Sequence, residues 1–108
     1  IVEKALRNMA TDENVYTILL SHRPELFDLY AAHGIDFALC GHAHGGQIRL
    51  PLIGGLYAPN QGRFPAYQSG LYRKAQTGMV VSRGLGNSLD PVRINNRPEL
   101  VIVTLRTK

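Results

Sequence analysis

Two stretches decide the fold: VYTILL over residues 15–20, ending in Ser21-His22, and IDFALC over residues 35–40, running into Gly41-His42-Ala43-His44-Gly45-Gly46. Each is a short, mostly apolar run rich in strand formers, the pattern of a strand covered on both faces. Between them Pro24 stands where a helix begins. Leu26, Phe27, Leu29, Tyr30 and Ala31 carry that helix to His33, and Gly34 supplies its stop. Upstream, Ile1, Val2, Ala5, Leu6 and Met9 recur at helical spacing, with Glu3, Lys4, Arg7 and Asn8 on the other face. They predict an amphipathic helix over residues 1–10, followed by a polar break at 11–14. Helix, strand, helix, strand is the α/β pattern. Further on, residues 47–50, 71–74, 79–83 and 100–106 read as strands. Residues 51–70, rich in Gly and Pro, read as a loop long enough to carry a function.

The chain's 108 residues allow one core, with about 65% of the unfolded surface buried if it folds as an independent unit. Its 44% apolar and 19% charged residues describe a globular protein rather than a disordered, fibrous or membrane-spanning one. The net charge of +4 is spread out, and favours an anionic ligand only weakly. No reading helix and no stripe of bases interleaved with aromatics is present, which sets nucleic acid aside as a partner. The single cysteine, Cys40, excludes an internal disulfide. At the end of an apolar strand it reads as a small buried hydrophobe rather than a metal-binding thiolate. The chain opens at Ile1 with no leader peptide, already inside what reads as an element, so a piece of a longer protein is expected.

Polar residues collect where the strands end, which is where sites lie in such folds. His22 follows the first strand, and His42 and His44 follow the second, among small residues that let side chains crowd around one point. Imidazole is the commonest side-chain metal ligand, and two histidines one residue apart reach either two neighbouring ions or one shared ion. His33, at a helix end, reads as an ordinary polar residue. Gly45 and Gly46 are candidates for a backbone nest around an anion, or simply a tight turn. Arg49, Arg83, Arg93 and Arg97 offer planar forks suited to phosphate oxygens, or solvated surface. Asn87, Asn95 and Asn96 read as turn residues. Tyr57, Phe64 and Tyr67 in the long loop form either a substrate rim or a cover for the sheet edge.

Ser21-His22-Arg23-Pro24-Glu25, followed by Gly41-His42-Ala43-His44-Gly45-Gly46-Gln47, resembles the last two metal-binding blocks of calcineurin-like metallophosphoesterases. Ile48-Arg49-Leu50-Pro51, Tyr57-Ala58-Pro59-Asn60-Gln61-Gly62, Ser82-Arg83-Gly84-Leu85-Gly86-Asn87-Ser88 and Arg93-Ile94-Asn95-Asn96-Arg97-Pro98-Glu99 extend the likeness to a bacterial subgroup of phosphohydrolases, over residues 15–105. The resemblance implies half of an α/β/β/α sandwich, with a mixed sheet and flanking helices. It also implies a dinuclear centre in the parent protein, built on Mn, Zn, Fe or similar divalent ions, that clamps a phosphate ester and activates a water. His22 and His42 then correspond to ligands of one metal and His44 to a ligand of the other, with Gly45, Gly46 and Arg49 as substrate-binding candidates.

The family's earlier blocks, Asp-x-His, Gly-Asp-x-x-Asp and Gly-Asn-His-Asp/Glu, occur nowhere in the sequence. The bridging carboxylate, the Asn ligand and the histidine proposed as leaving-group acid go with them, so no catalytic residue is assignable. The expectation is therefore a single unit over residues 1–108, the C-terminal portion of a phosphodiesterase or phosphomonoesterase domain. By itself it would be inactive or nearly so, able to stand free of metal, and inclined to self-associate where the missing half leaves it bare. The parent's location is left open between the cytoplasm and a membrane or envelope reached through an N-terminal segment, a feature of relatives. The competing reading is a non-catalytic module whose histidines hold a structural zinc or no metal.

Overall fold

A computed structural model describes residues 1–9, 12, 14–87 and 92–107. In chain order the elements are α1 (Val2–Asn8), β1 (Ile18–Ser21), a 3-10 turn (Pro24–Leu26) running into α2 (Phe27–Ala32), β2 (Phe37–Cys40) and a second 3-10 turn (His44–Gly46). The two-residue strands β3 (Arg49–Leu50), β4 (Gly54–Gly55), β5 (Tyr57–Ala58) and β6 (Gly62–Arg63) follow, then β7 (Gly70–Lys74) and β8 (Thr77–Val81).

The sheet that positions everything else runs β1-β2-β8-β7, the first three parallel and β7 antiparallel to β8. The fold is α/β, as the helix and strand alternation predicts, with the mixed sheet that the resemblance implies. Ile18, Phe37 and Gly78 lie side by side in register, as do Leu19, Ala38 and Met79. Ends are tied by side chains. Asp36 Oδ2 accepts from the Thr17 backbone N–H at 2.7 Å, and Thr77 Oγ1 donates to the Ile35 carbonyl at 2.6 Å. Gly78 is a glycine because the Phe37 ring lies over it, about where a Cβ would stand.

One face of the sheet is covered. Phe27 and Tyr30 of α2, with Ile35 and Leu6, close over Ala38, Cys40, Met79 and Val81 to make the core. Tyr67 joins from the long loop, meeting Phe27 and Tyr72 edge to face at 5.6 and 5.0 Å between ring centres. The other face carries Ile18, Leu20 and Leu71, all exposed, beside the half-buried Leu39. The total accessible surface is 7588 Å², against roughly 6,000 Å² for a compact monomer of this mass.

Several expected boundaries move. The first strand starts at Ile18, not residue 15, because pairing with β2 begins there and leaves Val15 and Tyr16 exposed. The first helix ends at Asn8; Ala10 lies outside the described residues, as does Ser88 of the family-like motif. The helix expected from Pro24 begins as a 3-10 turn and becomes α-helical only at Phe27. Of the expected strand at 47–50, only Arg49 and Leu50 pair, with Ile48 bridging to Ile94. The strand expected at 79–83 starts earlier and stops at Val81. Residues 100–106 form no strand, because no described residue pairs with them. The loop over 51–70 is more ordered than its composition suggests, since β3–β4 and β5–β6 are antiparallel pairs. No helix among the described residues is long and apolar enough to cross a membrane.

Candidate metal centre

The carboxyl ends of β1 and β2 bring three histidines together. The rings of His22 and His42 stand 5.6 Å apart between centres, and those of His42 and His44 5.9 Å. His22 is exposed, while His42 and His44 are half-buried. The remaining histidine stays apart: His33 caps α2, its ring Nδ1 2.9 Å from the Leu29 carbonyl. Cys40 is buried at the end of β2, and burial pushes its thiol up to about 12, so it is a packed hydrophobe and not a thiolate.

A buried hydroxyl fixes the turn that presents His22. Tyr30, fully buried, donates its O–H to the Arg23 carbonyl at 2.7 Å. Its oxygen in turn accepts from Ser21 Oγ at 2.7 Å, and Ser21 Oγ accepts the Arg23 backbone N–H at 3.1 Å. Burial raises the Tyr30 pKa, which keeps that hydroxyl a donor.

The loop that presents His42 and His44 is unusual in its backbone. Five of the six residues from His42 to Gln47 have positive φ: His42 (+71), His44 (+47), Gly45 (+64), Gly46 (+78) and Gln47 (+55). For the three that are not glycine, that conformation costs on the order of 1–3 kcal/mol each, and it persists only where the surroundings overdetermine it. They do so here, since every carbonyl from Ala43 to Gln47 accepts a hydrogen bond. Ala43 O receives Gly46 N–H at 2.8 Å, Gly45 O receives Arg49 Nη1 at 2.8 Å, and Gly46 O receives Leu56 N–H at 3.1 Å. The His44 carbonyl receives Gln47 N–H at 3.2 Å and Asn96 Nδ2 at 2.5 Å. The Gln47 carbonyl receives Ile94 N–H at 3.3 Å and Asn96 Nδ2 at 3.1 Å.

Gly45, Gly46 and Arg49 all take part in the contacts that hold the loop. A Cβ on Gly46 would land on the Gly55 backbone, and one on Gly45 would land on Asn96 Oδ1. The Gly46 N–H is spent on Ala43, and Arg49 Nη1 also reaches Gln68 Oε1 at 3.3 Å. Arg83 and Arg93 are likewise engaged. Arg83 meets Glu99 through its backbone N–H at 3.1 Å and its guanidinium at 3.3 Å, and Arg93 Nη2 donates to the Arg83 carbonyl at 2.8 Å. Asn96, expected in a turn, instead stands 3% exposed against the histidine loop, a contact across 52 residues of chain that no local pattern announces. Tyr57 and Phe64 of the long loop are exposed, whereas Tyr67 packs on the core.

Burial, the Arg93 charge and His42 together lower the His44 pKa, which favours the neutral imidazole that a metal needs. The donor set is three borderline nitrogens of the kind that suits zinc, iron or similar divalent ions. Among the described residues no three His, Cys, Asp or Glu side chains are arranged to close on a single ion. A cavity of about 700 Å³ opens on the bare side of the sheet, walled by Leu20, Leu39, Val80 and Leu100, and of the three histidines only His22 lines it.

No family model and no solved structure matches the chain. Curated relatives do. An uncharacterized metallophosphoesterase of Bacillus subtilis strain 168, YkuE, is 35% identical over 95 residues, which are 88% of this chain and 32% of the relative. Phosphodiesterase YaeI of Escherichia coli K12 is 35% identical over 96 residues, 89% of this chain and 34% of the relative. A transmembrane protein with a metallophosphoesterase domain from Bos taurus is 36% identical over 108 residues, 97% of this chain and 22% of the relative. The chain spans about a third of the length of the first two. Identity at this level is sustained over nearly all of its residues, so the chain is similar throughout to one portion of proteins named metallophosphoesterases.

Proposed function

We propose that this chain contributes the histidine side of a two-metal centre in a phosphoric ester hydrolase, a phosphodiesterase or a phosphomonoesterase. His22 and His42 serve one ion and His44 the other. The observation that carries this reading is the convergence of the three imidazoles at the carboxyl ends of β1 and β2, in a chain related to proteins named metallophosphoesterases. Bound there, a pair of divalent ions supplies Lewis acidity toward phosphoryl oxygens and makes water a nucleophile at neutral pH. The chain's own residues hold and aim the nitrogens. Tyr30 and Ser21 fix the His22 turn, while Arg49 and Asn96 brace the loop of His42 and His44. Carboxylate ligands come from elsewhere in this reading, so the 108-residue chain is inactive or nearly so.

The test is metal content of the purified chain by elemental mass spectrometry, beside a His42→Ala/His44→Ala double variant, with hydrolysis of an aryl phosphodiester measured in parallel. Bound divalent metal that disappears in the double variant supports the ligand set, and metal retained in it sinks the assignment. Substantial metal-dependent turnover by the chain alone would overturn the claim of inactivity.

A second reading draws on the bare face of the sheet. Ile18, Leu20 and Leu71 are exposed there, and among the described residues β1 is the edge strand of its sheet. An apolar face and an open edge on one side favour association with a second copy of the chain when no further part of the domain covers them. Light scattering across a wide concentration range tests this, and a persistent monomer would count against it.

A further inference from the structure

We propose that Asn96 is a positioning residue for His44: its amide holds the carbonyls of His44 and Gln47 and so sets the direction from which the His44 imidazole is offered to a metal. The inference rests on the metal reading of the histidine cluster. Its own foundation is geometric. One nitrogen, Nδ2, donates both of its hydrogens, to His44 O at 2.5 Å and to Gln47 O at 3.1 Å. Those two carbonyls flank the glycines at the centre of the left-handed stretch, and His44 and Gln47 are two of its three non-glycine residues.

Asn96 has few substitutes in this role. At 3% exposure, water has no room to replace the amide, and a neutral group with two N–H bonds on one atom is needed. Its Oδ1 is buried with no hydrogen-bond partner and lies where a Gly45 side chain would begin. Spending both hydrogens on the loop while leaving the oxygen unpaired is a cost that packing alone would not require, since an apolar residue would carry no orphan there. The chain enters this position from Ile94, whose backbone pairs with Gln47 and Arg49, so the brace is registered to the same loop. Groups that orient a metal ligand without touching the metal typically change affinity by about 10–100-fold when removed.

The test uses the full chain labelled with ¹⁵N, in wild type, Asn96→Asp and Asn96→Ala, read by NMR without metal and through a Zn²⁺ titration. Asn96→Asp keeps size and removes the donors. Asn96→Ala is the second variant should the buried charge prevent folding, and near-UV circular dichroism of the tyrosines checks that each variant is folded. Without metal, the amides of residues 44–47 are expected to shift, while those of β1 and His22 stay in place. With Zn²⁺, the His44 ring nitrogens of the variants are expected to need at least about tenfold more metal than wild type to respond, with the His22 response preserved. Unmoved amides at 44–47, or an unchanged Zn²⁺ response of His44, would overturn the role of Asn96. A wild-type chain in which Zn²⁺ moves no imidazole would instead sink the metal reading, and the metal-free spectra would still judge the brace.

Discussion

The two faces of the central sheet are built from the same strands and differ in how fully they are covered, since on the second, of the apolar side chains, only Val80 is buried. On one face Ala38, Met79 and Val81 are fully buried under α2, Ile35 and Leu6. On the other, Leu20 is 76% exposed and Leu71 55%. Yet the strands are apolar toward both sides, which is the composition of a sheet covered twice. The difference teaches that strand composition records the covers a sheet is made for, while burial records the covers it has. It also sorts mutations. A large loss is expected wherever a side chain faces α2, and almost none wherever it faces outward.

The sharpest way to break the comparison is a truncation on the covered face. Met79→Ala removes a fully buried side chain from between α2 and the sheet, and should destabilise the chain by about 2–5 kcal/mol in urea unfolding. A loss under about 1 kcal/mol would mean that this face is not the core. Next in size is Tyr30→Phe. It keeps the ring in the core and deletes the hydroxyl that joins Ser21 to the Arg23 carbonyl, and the expected cost is about 1–3 kcal/mol for partners left unpaired. Because that hydroxyl fixes the His22 turn, amide shifts confined to residues 21–23 should accompany the loss. Their absence would separate the core from the site.

Much of the covered face was legible in the sequence, because the rule that reads it is local. The apolar runs ending at Ser21 and Cys40 declare strands, Pro24 and Gly34 bracket the helix between them, and His22, His42 and His44 fall at the strand ends by register alone. What could not be read depends on partners distant in the chain. Residues 100–106 have a strand's composition, and a strand exists only where a neighbour offers its hydrogen bonds. Gln68 is the same case: its Oε1 receives the Gly55 N–H at 2.6 Å, ordering a loop that composition leaves blank. Asn96 is the clearest, since its polar type and its Pro-flanked setting suggest a turn. Its work is done on residues 49 and 52 positions earlier.

A smaller effect is expected where the C-terminal segment is pinned beside the bare face. Glu99 accepts the Arg83 backbone N–H and faces its guanidinium, and both hold its carboxyl below the usual value of 4.5. A depressed pKa stabilises the fold above the unfolded-state value and is lost as pH falls through the folded one. Stability should therefore drop as pH falls below about 4.5, by about 1 kcal/mol or less for a half-buried pair still reached by solvent. Glu99→Gln should flatten that part of the profile. An identical acid profile in the variant would move the pH dependence to another carboxylate.

The smallest change in stability belongs to the outward face, and it carries the most weight for the comparison. Leu20→Lys replaces an exposed side chain on β1, at the edge of the sheet, and should leave the unfolding free energy of the monomer within about 0.5 kcal/mol of wild type. If the bare face draws copies of the chain together, the same substitution should lower the apparent mass at high concentration, because a charge at an open edge opposes pairing. The two readouts answer different questions. A large loss of stability at low concentration would show that Leu20 is covered within the monomer, so that the two faces are alike. Unchanged stability with unchanged association would leave the faces different and move the contact between copies away from β1.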